Sequence, residues 1–154
     1  MLQDSLKLSG RVGIVLRDKD GNIIEEQTTE NLVVNDGLNF ICSRMEGTDQ
    51  NVMSHMAVGT GTTAAAAGDT ELGSGAANEA ARVTLTSTTV STNTIEYVAS
   101  FPANTPSSAT AITEAAIFNA ASGGDMLCHV VFDVINKAAL DSMTITWTIT
   151  LTAS

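Results

Sequence analysis

The sequence is poor in the residues that catalytic, membrane-spanning and nucleic-acid-binding proteins use most. Of its 154 residues only 4% are aromatic and 16% are charged, and it has two cysteines, two histidines and two prolines. Its seven lysine and arginine residues are scattered from Lys7 to Lys137, and the formal net charge is −10. Because phosphate binding needs clustered positive charge, this composition argues against nucleic acid as a direct partner. An acidic surface serves solubility, and it also tolerates a basic protein partner.

Long hydrophobic runs are missing too. No apolar run approaches the ~18 residues that a membrane-spanning helix needs, so we expect no membrane insertion. The N-terminus, M-L-Q-D-S-L-K-L, has neither a basic region nor a long apolar region, which predicts no signal peptide and synthesis in a reducing cytoplasm. Cys42 and Cys128 both have apolar neighbours, which favours two buried, reduced thiols over a disulfide.

No catalytic or metal-binding pattern stands out. His55 and His129 each lie in an apolar, strand-like run and are expected to be structural residues. The cysteines and histidines lack the C-x₂₋₄-C and H-x₃₋₅-H spacings of zinc sites. The stretch D-K-D-G-N at residues 18–22 looks faintly like the start of a calcium loop, but its glycine comes too early, so a hairpin turn is favoured. We therefore expect no enzymatic activity, no cofactor and no metal.

Strand patterns, in contrast, fill most of the chain. The clearest is residues 142–151, S-M-T-I-T-W-T-I-T-L, in which apolar side chains alternate with hydroxyl side chains. The apolar face includes Trp147, the single tryptophan, and has to be covered by a second layer. The threonine face fits a half-buried surface, in a barrel interior or against another chain, or it reflects only the high β propensity of threonine.

The remaining patterns give the fold class. Further strands are predicted at residues 11–17, 23–28, 31–34, 51–59, 82–91, 94–101, 111–120 and 126–132. Apolar residues at 38, 41, 42 and 45, with Asn35 or Asp36 as a cap and Gly47 as a stop, predict one short helix near residues 37–45. Eight or nine strands with one helix predict an all-β fold, a jelly-roll-like β-sandwich. We expect a single domain over residues 1–154, with an N-terminal arm of about residues 1–10.

Residues 60–81, T-G-T-T-A-A-A-A-G-D-T-E-L-G-S-G-A-A-N-E-A-A, form the most unusual segment. It has no periodic hydrophobic face, and Gly68, Gly73 and Gly75 interrupt any long helix. It is also too apolar and too low in charge for a typical disordered linker. We expect a long ordered loop that contacts another protein, because loops of this length are often functional and small residues let two backbones approach closely.

The segment from His55 to Gly73, H-M-A-V-G-T-G-T-T-A-A-A-A-G-D-T-E-L-G, resembles a segment of structural proteins of tailed bacteriophages. Those proteins continue with an arginine, here Arg82, and with "IEY-x-A-x-FPA" and "AITEAGIF" strands, which match residues 95–103 and 111–118. Ala116 replaces the usual glycine of the second strand. The I-N-K at residues 135–137 and the closing strand also match, so the resemblance extends from His55 to the end of the chain.

The resemblance implies a virion structural protein, and the short, single-domain, weakly charged chain favours a capsid decoration (cement) protein. Such proteins are commonly homotrimers that bind the major capsid protein on the outer surface of the virion, at three-fold and quasi-three-fold sites. The candidate contact residues for the capsid or a neighbouring subunit are Thr60, Thr62, Thr63, Asp69 and Arg82. One alternative is a tail or fibre-tip component that binds a host surface. Another is a small carbohydrate-binding β-sandwich, for which one Trp and one Tyr offer few stacking platforms.

Overall fold

The structure is a computed structural model that describes residues 4–47 and 50–153. Within these ranges the chain forms nine strands, one α-helix and one short 3₁₀ turn at Ala76–Asn78. The elements are β1 Leu6–Arg17, β2 Ile23–Val33, α1 Asn35–Glu46, β3 His55–Gly59, β4 Ala81–Thr84, β5 Ser87–Ser91, β6 Thr94–Phe101, β7 Thr110–Phe118, β8 Met126–Lys137 and β9 Ser142–Ala153.

The nine strands form one antiparallel sheet in the order β4-β3-β7-β8-β2-β1-β9-β6-β5. The sheet curls, because the residues between β4 and β5 bond to both of its ends: Leu85 N–H donates to the carbonyl of Ser54, and Thr86 N–H donates to the carbonyl of Val98. The all-β prediction is confirmed. A jelly-roll sandwich is not confirmed: the strands form one nine-stranded curled sheet, whose two parts are joined by a short pairing of β2 with β8.

The main core fills the inside of the curl. Trp147 lies at its centre, opposite Val12 of β1 and Tyr97 of β6, and is fully buried. The predicted alternation of β9 is therefore correct. Its threonines point outwards and are half-buried between β1 and β6, so they do not line a barrel interior.

The D-K-D-G-N stretch turns the chain from β1 to β2, as predicted. The Asp18 carboxylate accepts hydrogen bonds from the amides of Asp20 and Asn22, both at 2.9 Å, and Gly21 takes a positive φ of 86°. The hydrogen bond from the Asn22 amide is the main reason that the pKa of Asp18 lies below its usual value. This carboxylate is thus engaged in forming the turn.

Helix α1 packs differently from the prediction. The helix starts at Asn35, and no side chain caps its N-terminus. The carboxylate of Asp36, one of the two predicted caps, instead accepts a 2.7 Å hydrogen bond from Met126 N–H of β8. Gly47 ends the helix with φ 81°, as predicted. Gly37 lies so close to β8 that a Cβ there would stand 2.1 Å from the carbonyl oxygen of Leu127.

This close approach decides which face of α1 is buried. Phe40 and Ile41 pack against the core, whereas Leu38 and Met45 are 41% and 84% exposed. Cys42 is also exposed, so the prediction that it is buried was wrong, since it lies on the outward face of the helix. Cys128 is buried as predicted, and both thiols are free.

Two predicted boundaries also change. Strand β1 begins at Leu6, and residues 6–10 pair with residues 149–153 of β9, so they belong to the sheet and not to an arm. Residues 1–3 of the expected arm lie outside the described residues. The strand expected over 51–59 begins at His55.

Candidate functional site

The loop between β3 and β4, residues 60–80, lies across the outer face of the sheet. We call it the β3–β4 loop. Its one large apolar side chain, Leu72, is 1% exposed and packs in a second, smaller core with Val34, Ala57, Ala116, Phe118 and Met126. Ala57 of β3 and Ala116 of β7 are cross-strand partners, so small side chains let the loop lie close to the sheet. This part of the sheet is therefore covered on both faces.

The loop is held by a carboxylate with no exposed surface, Glu114 of β7. One of its oxygens, Oε1, accepts hydrogen bonds from the amides of Gly61 (2.8 Å) and Ser74 (3.0 Å). The other, Oε2, lies 2.7 Å from the amide of Gly73 and 3.0 Å from Nε2 of His129. Amides near the start of the loop and in its second half thus bind the same side chain.

These contacts set the ionisation of Glu114. Burial by itself raises the pKa of this carboxyl, but Ser74, Gly73 and His129 outweigh it and hold the pKa below its usual value. The Ser74 hydroxyl is buried nearby but has no hydrogen-bond partner, so the backbone amides of Gly73 and Ser74 are the donors that stabilise the carboxylate on this side. An ionised carboxylate that accepts several amide hydrogen bonds is the stable form of such a group.

His129 of β8 connects Glu114 to the middle of the loop. Its Nδ1 lies 2.7 Å from Oδ2 of Asp69, which also accepts a 2.8 Å hydrogen bond from Ala66 N–H. Both ring nitrogens of His129 therefore face carboxylate oxygens, and the ring is 1% exposed. Glu114, His129 and the partly exposed Asp69 form a connected cluster of polar side chains that fastens the loop.

The glycines of the V-G-T-G motif have a spatial explanation here. A Cβ on Gly59 or Gly61 would lie 2.6 or 2.5 Å from Oε1 of Glu114. Only a residue without a side chain lets the loop backbone reach this carboxylate. The motif that carries the resemblance to phage proteins therefore contributes Gly59, Gly61 and Asp69 to one structural cluster.

The outward side of the loop differs from its inner side. Residues 60–68 carry no charge, and seven of these nine residues are exposed, including Thr60, Thr62 and Thr63. The other two, Gly61 and Ala65, are half-buried. The end of this exposed stretch is tied to helix α1, because Asn35 N–H donates to the carbonyl of Ala67 at 2.7 Å. The result is an exposed, uncharged and firmly held ridge.

The predicted contact residues fall into two groups. Thr60, Thr62 and Thr63 lie on the exposed ridge, whereas Asp69 is engaged by His129. Arg82 of β4 points into the structure, where it pairs with Glu79, donates to the carbonyls of Ala120 and Gly123, both at 2.9 Å, and stacks 3.8 Å from the ring centre of Phe118. Its side chain is 7% exposed, so Arg82 supports the fold at this position.

Sequence reasoning missed Glu114. The available signal was a single carboxylate within the apolar run A-I-T-E-A-A-I-F, since such a group needs several donors when it is buried. A glycine-rich loop can supply those donors from its backbone. The partners of His129, expected only to be structural, were likewise not predicted.

Comparison with known proteins adds no identification: the chain matches no protein-family model, no curated protein sequence and no solved structure. Within residues 4–47 and 50–153, no group of three or more acidic, histidine or cysteine side chains is arranged to hold a metal ion. In the same ranges, no helix has the length and apolar character to cross a bilayer.

Proposed function

We propose that this chain is a non-enzymatic structural protein of a tailed-phage virion, a decoration (cement) subunit on the outer capsid surface. The observation that supports this function best is the exposed ridge at residues 60–68. It is uncharged and rich in small residues, and the cluster of Glu114, His129 and Asp69 fastens it to the sheet. These are the properties of a preformed surface for contact with another protein.

The cluster matters because ordering a loop on binding costs free energy. Each side chain or loop segment that becomes immobile in a complex reduces affinity, and preorganisation removes this cost. Here Glu114 and His129 have already fixed the loop before any partner binds. Large side chains of the kind that dominate interface energies are absent from the ridge, so affinity would come from close backbone approach, repeated over many sites.

The proposed assembly is a homotrimer that binds the major capsid protein at three-fold and quasi-three-fold positions. Support for self-association comes from β5, whose residues Ser87–Ser91 are all exposed and uncharged. On one side β5 pairs with β6, and it is the last strand of the described sheet. A free strand edge without charges readily pairs with another strand.

The test uses particles that lack this protein and purified protein added back. Thr62→Lys places a charge on the ridge and should reduce capsid occupancy about tenfold, because an unpaired charge at an interface costs over ~1.4 kcal/mol. Thr152→Lys makes the same change at another exposed threonine, on β9, and should leave occupancy unchanged. Occupancy is measured by quantitative gel analysis and by density at the three-fold positions.

Two results would overturn the proposal. Equal occupancy for both variants would show that the ridge makes no contact. Location of the protein only at the tail, with loss of host adsorption in its absence, would assign it to the tail or fibre tip instead.

A further inference from the structure

The sheet parts between β2 and β8. These strands span Ile23–Val33 and Met126–Lys137, but they pair only at Leu32 with His129 and at Val33 with Cys128. The cause lies in the pairing of β8 with β7. Glu114 of β7 pairs with Val131 and Ile112 pairs with Ile135, so β8 has extra residues between these two pairs. Extra residues of this kind form a bulge, which bends a strand away from its neighbour.

Most of β2 therefore has a free edge. Along an antiparallel strand, backbone groups point alternately to the two sides. Val34 N–H donates to the Leu127 carbonyl of β8, so the N–H and C=O groups of Glu26, Thr28 and Glu30 face the split, while Gln27 and Thr29 face β1. Across the split the Gln27 side chain, and not its backbone, reaches the Asp133 carbonyl at 2.8 Å.

A cavity marks the point where the two strands separate. Its volume is about 330 Å³, and it lies beneath the β3–β4 loop. Its walls include Glu30 and Asn31 of β2, Val130 and Val131 of β8, and Thr62 of the loop. The free edge of β2 thus continues into a recess next to the exposed ridge.

The charges on this edge select between partners. Strand β2 carries Glu25, Glu26 and Glu30 and has no lysine or arginine, and Asp133 lies across the split. Pairing of two β2 edges from two copies would bring these glutamates together, and like charges on paired strands are unfavourable. A segment with lysine or arginine is attracted to the same edge, and Ile24 (54% exposed) and Val134 (46% exposed) offer it apolar contacts.

We propose that the free edge of β2 binds an extended segment of another polypeptide, with alternating apolar and basic residues, as an added β-strand. Strand addition of this kind uses main-chain hydrogen bonds for affinity and side chains for selectivity. The inference goes beyond the decoration function, because it concerns the chemistry of the bound segment and holds for a shell or a tail partner.

The experiment uses the full chain, ¹⁵N-labelled, and a peptide that alternates lysine with valine, acetyl-KVKVTVKVK-amide. Hydrogen exchange at the amides of Glu26, Thr28 and Glu30 should slow at least about tenfold when the peptide binds, as expected for newly hydrogen-bonded amides. Exchange at Gln27 and Thr29, which already face β1, should not change. A peptide with glutamate in place of each lysine should leave all five amides unchanged.

Variants test the same edge independently. Glu26→Lys should weaken peptide binding about threefold, as for a reversed exposed charge, and Glu96→Lys on β6 is its control with an equal change in net charge. Thr28→Pro removes one N–H group that faces the split, and a free strand edge tolerates proline. The peptide should then no longer slow exchange at Glu26 and Glu30. A cooperative melting curve shows that the variant is folded. If Thr28→Pro fails to fold, Glu26→Lys alone decides.

Three outcomes would overturn the inference. The first is unchanged exchange at the three edge amides, and the second is equal binding of the lysine and glutamate peptides. The third is self-association through β2, seen as slowed exchange at these amides that depends on protein concentration without any peptide.

Discussion

Glu114 shows how much a single residue contributes to this fold. It is a carboxylate with no exposed surface on a strand of the central sheet, and three backbone amides and one imidazole surround it. Removing one partner of a buried, hydrogen-bonded charge lowers the free energy of unfolding strongly, because the remaining polar groups stay buried without a partner. The order of the β3–β4 loop should therefore depend strongly on this carboxylate.

The first prediction concerns Glu114→Gln. Glutamine has one acceptor oxygen and an NH₂ group that would face amide donors, so the variant should lose about 3–5 kcal/mol in free energy of unfolding. Denaturant titration measures this loss, and limited proteolysis should show cleavage within residues 60–80. Glu96→Gln, at an exposed position on β6, serves as control and should stay within ~0.5 kcal/mol of the parent. Equal stability of the two variants would contradict the role of the cluster.

The pH dependence of stability follows from the same carboxylate. The pKa of Glu114 is lower in the folded chain than in the unfolded chain, where it is ~4.3. The contribution of this carboxylate to the free energy of unfolding is therefore complete above the unfolded pKa, and it is lost as the pH falls through the folded pKa. Asp69 and His129 adjoin it, and Asp18, whose pKa is also lowered, contributes in the same acidic range. The Glu114→Gln variant should lose less stability than the parent between about pH 5 and pH 3.

The second prediction concerns the two thiols. Cys42 is exposed on α1, whereas Cys128 is fully buried, and burial raises the pKa of its thiol well above the usual value. Titration with a thiol reagent should therefore detect one reactive thiol in the native protein and two after unfolding. Cys42→Ser should abolish the native reaction. Two reactive thiols in the native state would show that the β8 region opens readily.

At the scale of secondary structure elements, helix α1 is positioned by one close contact. A Cβ on Gly37 would stand 2.1 Å from the Leu127 carbonyl oxygen, whereas nothing lies within 4 Å of one on Gly68 in the loop. The backbone of β8 has little room to move, because β7 also pairs with it. Glycine at position 37 therefore determines how closely the helix lies against the sheet.

The third prediction compares alanine at these two positions. Gly37→Ala should lower the free energy of unfolding by about 1–3 kcal/mol, since overpacking exceeds the gain in helix propensity. Gly68→Ala should be neutral or stabilise by about 0.4–1 kcal/mol, because it only restricts the unfolded chain. Thermal melts of both variants give the measurement. A neutral Gly37→Ala would mean that the helix shifts without cost.

Local patterns predicted the elements better than their contacts. Strand β9 and the β5–β6 hairpin were predicted because alternation and turn residues are local signals. The buried face of α1 was predicted wrongly, since Leu38 and Met45 have the spacing of a packing stripe, but Gly37 brings another face to the sheet. The split between β2 and β8 depends on a bulge and on pairing between distant segments, which no local pattern contains. Glu114 was missed for the same reason, because the backbone amides that bind it are 40 or more residues away in sequence.

At the scale of the whole molecule, the fold exposes two kinds of surface. One is the uncharged ridge of the β3–β4 loop, and the other is the acidic free edge of β2. The two surfaces meet at the recess that Thr62 and Glu30 line. The small residues of the ridge suit close packing, while the free edge suits an extended strand. A partner that uses both surfaces would gain affinity without large side chains, because linked contacts reinforce one another.

The last prediction concerns the particle to which the proposed decoration subunit binds. A protein that binds the assembled shell, and not the dissociated one, stabilises each site by RT ln(1 + [L]/Kd), which is about 2.7 kcal/mol at a hundredfold excess over Kd and about 4.1 kcal/mol at a thousandfold excess. The temperature at which depleted particles release DNA should therefore rise with the logarithm of added protein, once its free concentration exceeds Kd. The Thr62→Lys variant should need about tenfold more protein for the same shift, and Thr152→Lys should match the parent. DNA release is followed by dye fluorescence during heating. A release temperature that does not depend on protein concentration, even with bound protein on the particle, would exclude a stabilising role and favour the tail function.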